Sequence, residues 1–302
     1  METKYHAPVM LKECIEALAI QPNGIYVDVT FGGGGHSRAI LNQLGAEGKL
    51  VAFDQDEDAK LNLPHDERLY FIDQNFEYMA NHLAYQSCIP VQGILADLGV
   101  SSHQFDEAGR GFSFRFDEAD LDMRMNASTG KNAADILNTY TQEQLADILY
   151  LYGELKNSRA LATAIVGYRT QQPIKTVLHL KEAIKNSTPK FGDYKFFAQV
   201  FQALRIEVNR EMEVLKKFLE QSAAVLASGG NLVVMSYHSL EDRLVKNFMA
   251  AGNFQGIQEK DFYGNVIKPF EQLQKKVITA SEEELTINPR SRSAKLRIAK
   301  KI

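Results

Sequence analysis

Short apolar strands alternating with helical segments predict an α/β protein, with a parallel sheet covered on both faces and interrupted by an inserted all-helical subdomain. From residue 25 to residue 97 strand-like and helix-like runs take turns. From about residue 106 to residue 196 only helical patterns remain. A Gly229-Gly230 turn and the apolar run 231–236 then resume the alternation. The chain therefore divides into a discontinuous main domain, 1–105 with 197–302, and an insertion, 106–196. The ligand of such a sheet belongs at the carboxyl ends of its strands.

In order, Tyr5-His6-Ala7 leads in extended form into a short helix over 8–18, with Val9, Met10, Ile15 and Leu18 on one face. Strands follow at 25–29, 50–53, 69–72 and 91–96, and helices at 37–44 and 76–85; Asp56 can cap a helix after the second strand. Periodicity fails over 99–131, a stretch with Phe105, Phe112, Phe114 and Phe116 whose aromatic content argues against disorder. Thr141 and Gln144 form a capping box for the next helix, and further helices fit 160–168 and 176–184. One long helical run from Phe197 to Leu226 stops at the glycine pair. Ser239 with Asp242 caps another helix, and 266–278 with 294–299 suits an antiparallel edge.

Composition narrows the class. The 302 residues are 45% hydrophobic, normal for a globular protein, and no stretch approaches the ~18 apolar residues of a membrane span. Cys14 and Cys88 lack the spacing of a disulfide framework or zinc site, which fits a reducing, cytoplasmic setting. No histidine pair stands at metal-ligand spacing, so no metal is expected. A net charge of −4 argues against indiscriminate nucleic-acid binding. Residues 285–302 nonetheless hold Arg290, Arg292, Lys295, Arg297, Lys300 and Lys301 with no acid, as a local basic face or a solvated tail.

The chemistry concentrates where the first strand runs into Gly32-Gly33-Gly34-Gly35-His36. A dinucleotide loop wants G-x-G-x-x-G, but the last position here is Ser37, and Asp28 four residues before Gly32 would repel a pyrophosphate. An acid there suits a ligand bearing an ammonium and a sulfonium, which points to S-adenosylmethionine rather than a nicotinamide cofactor. Asp54, closing the second strand, suits ribose hydroxyls; Phe76, past the third, suits adenine. Read singly, these acids could also be ordinary strand-end carboxylates.

Asp97 ends the fourth strand, where an acceptor should meet the methyl group. An exocyclic amine has its lone pair delocalised into the ring, and hydrogen bonds from its protons to a carboxylate would localise that pair for in-line attack. Asp97 is therefore the candidate orienting or polarising residue. In the following loop the phenylalanines read individually as core, with Phe112 a candidate platform for a base and Arg110, Arg115 and Arg124 candidates for phosphates. His238, Ser239 and Asp242 raise a hydrolase triad, but no nucleophile elbow surrounds the serine. A binding module without turnover is the alternative to an enzyme.

Eight segments, in order from residue 5 to residue 297, together resemble the MraW (RsmH) family of small-subunit ribosomal RNA cytosine-N4 methyltransferases. They are Tyr5-His6-x-Pro8-Val9-Met10, Asp28-x-Thr30-Phe31-Gly32-x-Gly34-Gly35-His36-Ser37, Asp97-Leu98-Gly99-Val100-Ser101-Ser102-x-Gln104-x-Asp106, Arg110-Gly111-Phe112-Ser113-Phe114, Leu121-Asp122-Met123-Arg124-Met125, Phe201-Gln202-Ala203-Leu204-Arg205-Ile206, His238-Ser239-Leu240-Glu241-Asp242-Arg243 and Asn288-Pro289-Arg290-x-Arg292-Ser293-Ala294-Lys295-Leu296-Arg297. The resemblance implies a Rossmann-like class I S-adenosylmethionine-dependent methyltransferase fold with a helical insertion, acting on a cytidine of the decoding region of 16S ribosomal RNA within the small ribosomal subunit. It also implies cofactor contacts at Gly34, Gly35, His36, Asp54, Phe76, Asp97 and Gln104; because the positive end of a helix dipole disfavours a charged imidazole, His36 is expected to be neutral and to donate to the cofactor. RNA contacts are expected in the insertion and at Arg290 and Arg292. A homodimer is left open. The chain departs from the family pattern at Ala119-Asp120 and Asn126, and at 196–200. Tyr237 stands where Phe is usual, and its hydroxyl is expected to matter little.

Overall fold

The strands next to the glycine corner are apolar over nearly their whole length, as strands covered on both faces must be. In the computed structural model, which describes residues 8–302, the chain forms α1 (Leu11–Leu18), β1 (Ile25–Asp28), α2 (Gly35–Gln43), β2 (Lys49–Phe53), β3 (Leu69–Ile72), α3 (Met79–Tyr85) and β4 (Val91–Asp97). Tyr5, His6 and Ala7 lie outside the described residues. Then come α4 (Ser102–Asp106), α5 (Ala133–Thr139), α6 (Gln142–Leu151), α7 (Ser158–Arg169), α8 (Val177–Ile184) and α9 (Asp193–Asn209). The chain ends with α10 (Glu211–Val225), β5 (Leu226–Ser236), α11 (Ser239–Ala251), β6 (Phe270–Gln272), α12 (Glu282–Ile287) and β7 (Lys295–Lys301).

All seven strands form one sheet in the order β3-β2-β1-β4-β5-β7-β6. The first five are parallel, while β7 runs antiparallel to both β5 and β6. Because β1 lies between β2 and β4, the strand order reverses there, and the carboxyl ends bearing Asp28 and Asp97 flank that switch point. One face of the sheet packs Val27, Val51, Ile94 and Val234 against Phe218, Leu219 and Phe248. On the other, Tyr26, Leu50, Leu95 and Val233 pack against Met10, Leu18 and Ile40.

Residues up to Gly99 together with Met212–Ile302 form one compact unit, and Val100–Glu211 a second. The sequence boundary at residue 196 thus moves to 211. The apolar period from Phe197 to Leu226 runs on without a glycine or proline, yet the helix breaks at Arg210, which takes a left-handed φ of 52°. Val200, Phe201, Ala203 and Leu204 of α9 complete the core of the second unit with Leu145, Leu149, Leu161 and Ile165.

The loop between α4 and α5 is laid down by backbone hydrogen bonds: Leu121 donates to Lys175, Met123 to Arg110, and Ala133 and Ala134 donate back to Asp122 and Leu121. At Gly111 the loop approaches itself so closely that a Cβ would come within 2.1 Å of the Asp120 carbonyl oxygen. The capping box of Thr141 and Gln144 forms as expected, and Thr176 caps α8 by accepting from the His179 N–H. The Gly229-Gly230 pair lies inside β5, in a register irregularity opposite β4, rather than before the strand. The cap of α11 is His238 with Glu241, one residue ahead of Ser239, so the serine is the first helical residue.

Phe218 is fully buried among the residues behind the site. Phe218→Ala should lower stability by about 3–5 kcal/mol, read as a shift of the urea midpoint without loss of cooperativity.

Candidate active site

Asp28 is fully buried at the end of β1, where burial pushes its carboxyl above the usual range. Its Oδ1 accepts from the Thr30 backbone N–H at 3.1 Å and its Oδ2 from the Ser37 hydroxyl at 2.7 Å. Asp28 therefore does not face a ligand's positive charge, as the spacing led us to expect. It braces the corner from behind, and Ser37, which stands where a dinucleotide loop has glycine, is the brace's other half. Thr30 extends the brace, since its hydroxyl accepts from the Asp97 backbone N–H at 2.7 Å.

The glycines then carry the chain round. Gly32 and Gly34 hold φ values of 50° and 73°, and Gly34 is the N-cap of α2. A Cβ on Gly34 would come within 2.8 Å of the Phe31 ring, and one on Gly35 within 2.2 Å of Pro8. Gly32 donates its N–H to Asp54 Oδ2 at 2.7 Å, and Asp56 donates to Oδ1 at 2.9 Å. Burial pushes the Asp54 carboxyl up to about 6. Each oxygen keeps a second lone pair, the capacity a pair of vicinal hydroxyls requires. Phe76, half-buried past β3, packs edge-on against Phe218 at 5.4 Å, and Asn75 beside it is tied to Gln55 at 2.9 Å. The loops after β2 and β3 are thus held together.

Asp97 closes β4, and burial pushes its carboxyl up to about 6 despite the Tyr237 hydroxyl donating to Oδ1 at 2.7 Å. Its Oδ2 faces Nδ1 of His36 at 3.9 Å. His36 is buried and its Nε2 donates to the Val9 carbonyl at 3.1 Å, so that edge is already engaged and cannot serve a cofactor as expected. A carbonyl only accepts, which places a proton on Nε2 and, in the neutral ring, a lone pair on Nδ1 beside Oδ2. Two acceptors side by side suit a donor with two protons, such as an amine. Asp28, Gly34, Gly35, His36, Asp54 and Asp97 all gather at this edge of the sheet.

Gln104 is buried and forms a capping box with Ser101, its Oε1 accepting from the Ser101 N–H at 3.0 Å. Phe112 is buried in the helical core under the Arg110 guanidinium, which leaves it no open face for a base. Arg110 donates to the carbonyls of Arg124 and Met125, and Arg124 makes a two-pronged pair with Asp122. Both arginines hold the loop together. Arg115 pairs with Asp106 at 3.1 Å but is half exposed. Phe105, Phe114 and Phe116 pack on the core. Near the carboxyl end, Arg292 is exposed and Arg290 half-buried, whereas Lys295 and Arg297 are paired with Asp242. That pairing, with Ser239 inside α11, removes any hydrolase triad. Sequence reasoning missed the roles of Thr30, Ser37 and Tyr237; the residue directly after β5 was nonetheless placed to reach Asp97, because Met235, two positions before it, lies in register with Asp97.

The parallel sheet with an antiparallel β7, a glycine corner after β1 and acids closing β1 and β4 defines the class I methyltransferase fold. A sequence profile of the MraW methylase family matches residues 3–302. The chain belongs to that family, and membership agrees with S-adenosylmethionine as the cofactor. Curated relatives named ribosomal RNA small subunit methyltransferase H are similar over nearly their whole length. The protein of Parabacteroides distasonis is 59% identical over 299 residues, covering 99% of this chain and 98% of the relative. That of Flavobacterium johnsoniae is 54% identical with the same coverage. A solved rRNA methylase from Streptococcus thermophilus aligns at 13% identity over 97% of this chain and 93% of that one, with a TM-score of 0.41.

Gly34→Ala forces a side chain into the left-handed region against Phe31. We expect cofactor affinity to fall by about tenfold or more in calorimetric titration, equivalent to about 1–2 kcal/mol of backbone strain.

Proposed function

We propose that the protein transfers the methyl group of S-adenosylmethionine to the exocyclic N4 of a cytidine in the decoding region of small-subunit ribosomal RNA. The observation that carries this reading is the pair of acceptors at Asp97 and His36, 3.9 Å apart beside the glycine corner. The cofactor supplies an electrophilic methyl. The glycine corner would hold its aminoacyl end, Asp54 its ribose and Phe76 its adenine. An amine donating to Asp97 Oδ2 regains lone-pair density on nitrogen, and the attack is in line with the departing sulfur. After transfer the extra amine proton leaves to water.

The name shared by the relatives supports the small-subunit RNA substrate, and the N4 position rests on the site's chemistry together with the family resemblance. With Phe112, Arg110 and Arg124 engaged inside the second unit, the phosphate contacts narrow to Arg292, Arg290 and Arg115, whose exposed pair with Asp106 is worth only about 0–1 kcal/mol and is easily exchanged for a phosphate. Arg292→Ala should weaken RNA binding and reduce its salt slope by about one, leaving cofactor affinity unchanged.

Labelled S-adenosylmethionine, offered with small subunits or naked ribosomal RNA and followed by nucleoside digestion and mass spectrometry, tests the assignment. Label in N4-methylcytidine is the expected result; label at C5 or on ribose would overturn it, and none at all would favour a binding module. Because an ionised Asp97 is the better acceptor, the single-turnover rate should rise with pH through about 6 and level off above about 7.

A further inference from the structure

We propose that Tyr237 is a positioning residue for methyl transfer: by donating to Oδ1 of Asp97 at 2.7 Å, its hydroxyl fixes the carboxylate so that Oδ2 is presented to the acceptor amine. This rests on the role assigned to Asp97 above.

The tyrosine is itself held from two sides. Its backbone N–H donates to Glu241 Oε2 at 2.9 Å, in the first turn of α11, and its ring lies beside Gly99, where a Cβ would stand 3.5 Å from ring carbon Cδ2. A hydroxyl so anchored can aim at one oxygen only. Among the described residues it is the one side chain that donates a hydrogen bond to the Asp97 carboxylate. Without it, the carboxylate could rotate to share both oxygens, and the amine would meet a less defined acceptor.

The charged and titratable groups around the pair pull the Asp97 carboxyl in both directions. Burial, with Asp28 from β1 and Glu241 from α11, raises the Asp97 carboxyl, whereas the Tyr237 hydroxyl lowers it, as His36 from α2 would only in its charged form. Cys14 from α1 faces the same cluster, its thiol pushed up by burial and by Asp97. The Tyr237 hydroxyl is pushed well above its ordinary value by burial and by Asp97, so it stays a donor across the working range. Removing that donor leaves burial and the two acids to hold the proton on Asp97.

Single-turnover rates of the full-length protein against pH test the proposal. Tyr237→Phe should move the acid limb upward by about one pH unit, with a rate about fivefold lower at pH 6 that recovers to near wild type at pH 8–9 and cofactor affinity within about twofold. An unshifted limb would overturn it, whether or not the whole curve is lowered. Should Tyr237→Phe fail to fold, 3-fluorotyrosine at position 237, a stronger donor, should move the limb downward, and no movement there counts equally against the proposal. Asp97→Asn separates the two claims. If that variant transfers methyl at the wild-type rate, the role of Asp97 itself fails; if it is inactive while Tyr237→Phe keeps the wild-type limb, only the role of Tyr237 fails.

Discussion

A carboxylate with no exposure to water sits at the end of β1, and the shape of the glycine corner depends on how it is satisfied. Asp28 would be costly to bury unpaired; the Thr30 N–H and the Ser37 hydroxyl make it tolerable, each hydrogen bond to a charge contributing about 1.5–3 kcal/mol. Those two bonds tie the strand end to the turn and the turn to the first turn of α2. The glycines in between are free to take left-handed backbone because both ends of the loop are fixed. Through the Thr30 hydroxyl the same brace reaches the backbone of Asp97, so the glycine loop and Asp97 share one support.

That shared support explains the division of labour among the three acids. Asp28 has its oxygens engaged inside the protein and acts on geometry. Asp54 uses one lone pair of each oxygen to hold the loops after β1 and β2 and keeps the others. Asp97 gives one oxygen to Tyr237 and turns the other toward His36. Three carboxylates on neighbouring strand ends thus differ in function because their hydrogen-bond partners differ, although their residue type and position along each strand are alike.

Much of this was legible in the residues. The alternating runs placed the first four of the five parallel strands within a residue or two, since buried strands are unbroken apolar runs and their ends are marked by acids and glycines. What the pattern could not show was direction. Asp28 four residues before the glycines reads the same whether it faces a ligand or the core, and only the packing of Ser37 decides. Phe112, Arg110 and Arg124 read as an RNA surface because aromatic and basic residues alternate there, yet the loop folds on itself at Gly111 and uses them internally. The helix break at Arg210 was hidden because a non-glycine left-handed residue leaves no mark in the apolar period. Tyr237 was passed over as a conservative exchange for Phe, whereas its hydroxyl donates to the carboxylate that closes β4.

The central claim is that the corner works through the brace at Asp28, not through Asp28's charge acting on the ligand. Titration of S-adenosylmethionine into Ser37→Ala, which keeps the charge and removes the brace, tests this most directly. Loss of one hydrogen bond to a carboxylate, about 1.5–3 kcal/mol, should loosen the loop enough to weaken binding by about tenfold or more. An affinity equal to that of the wild type, in a variant that folds normally, would contradict it.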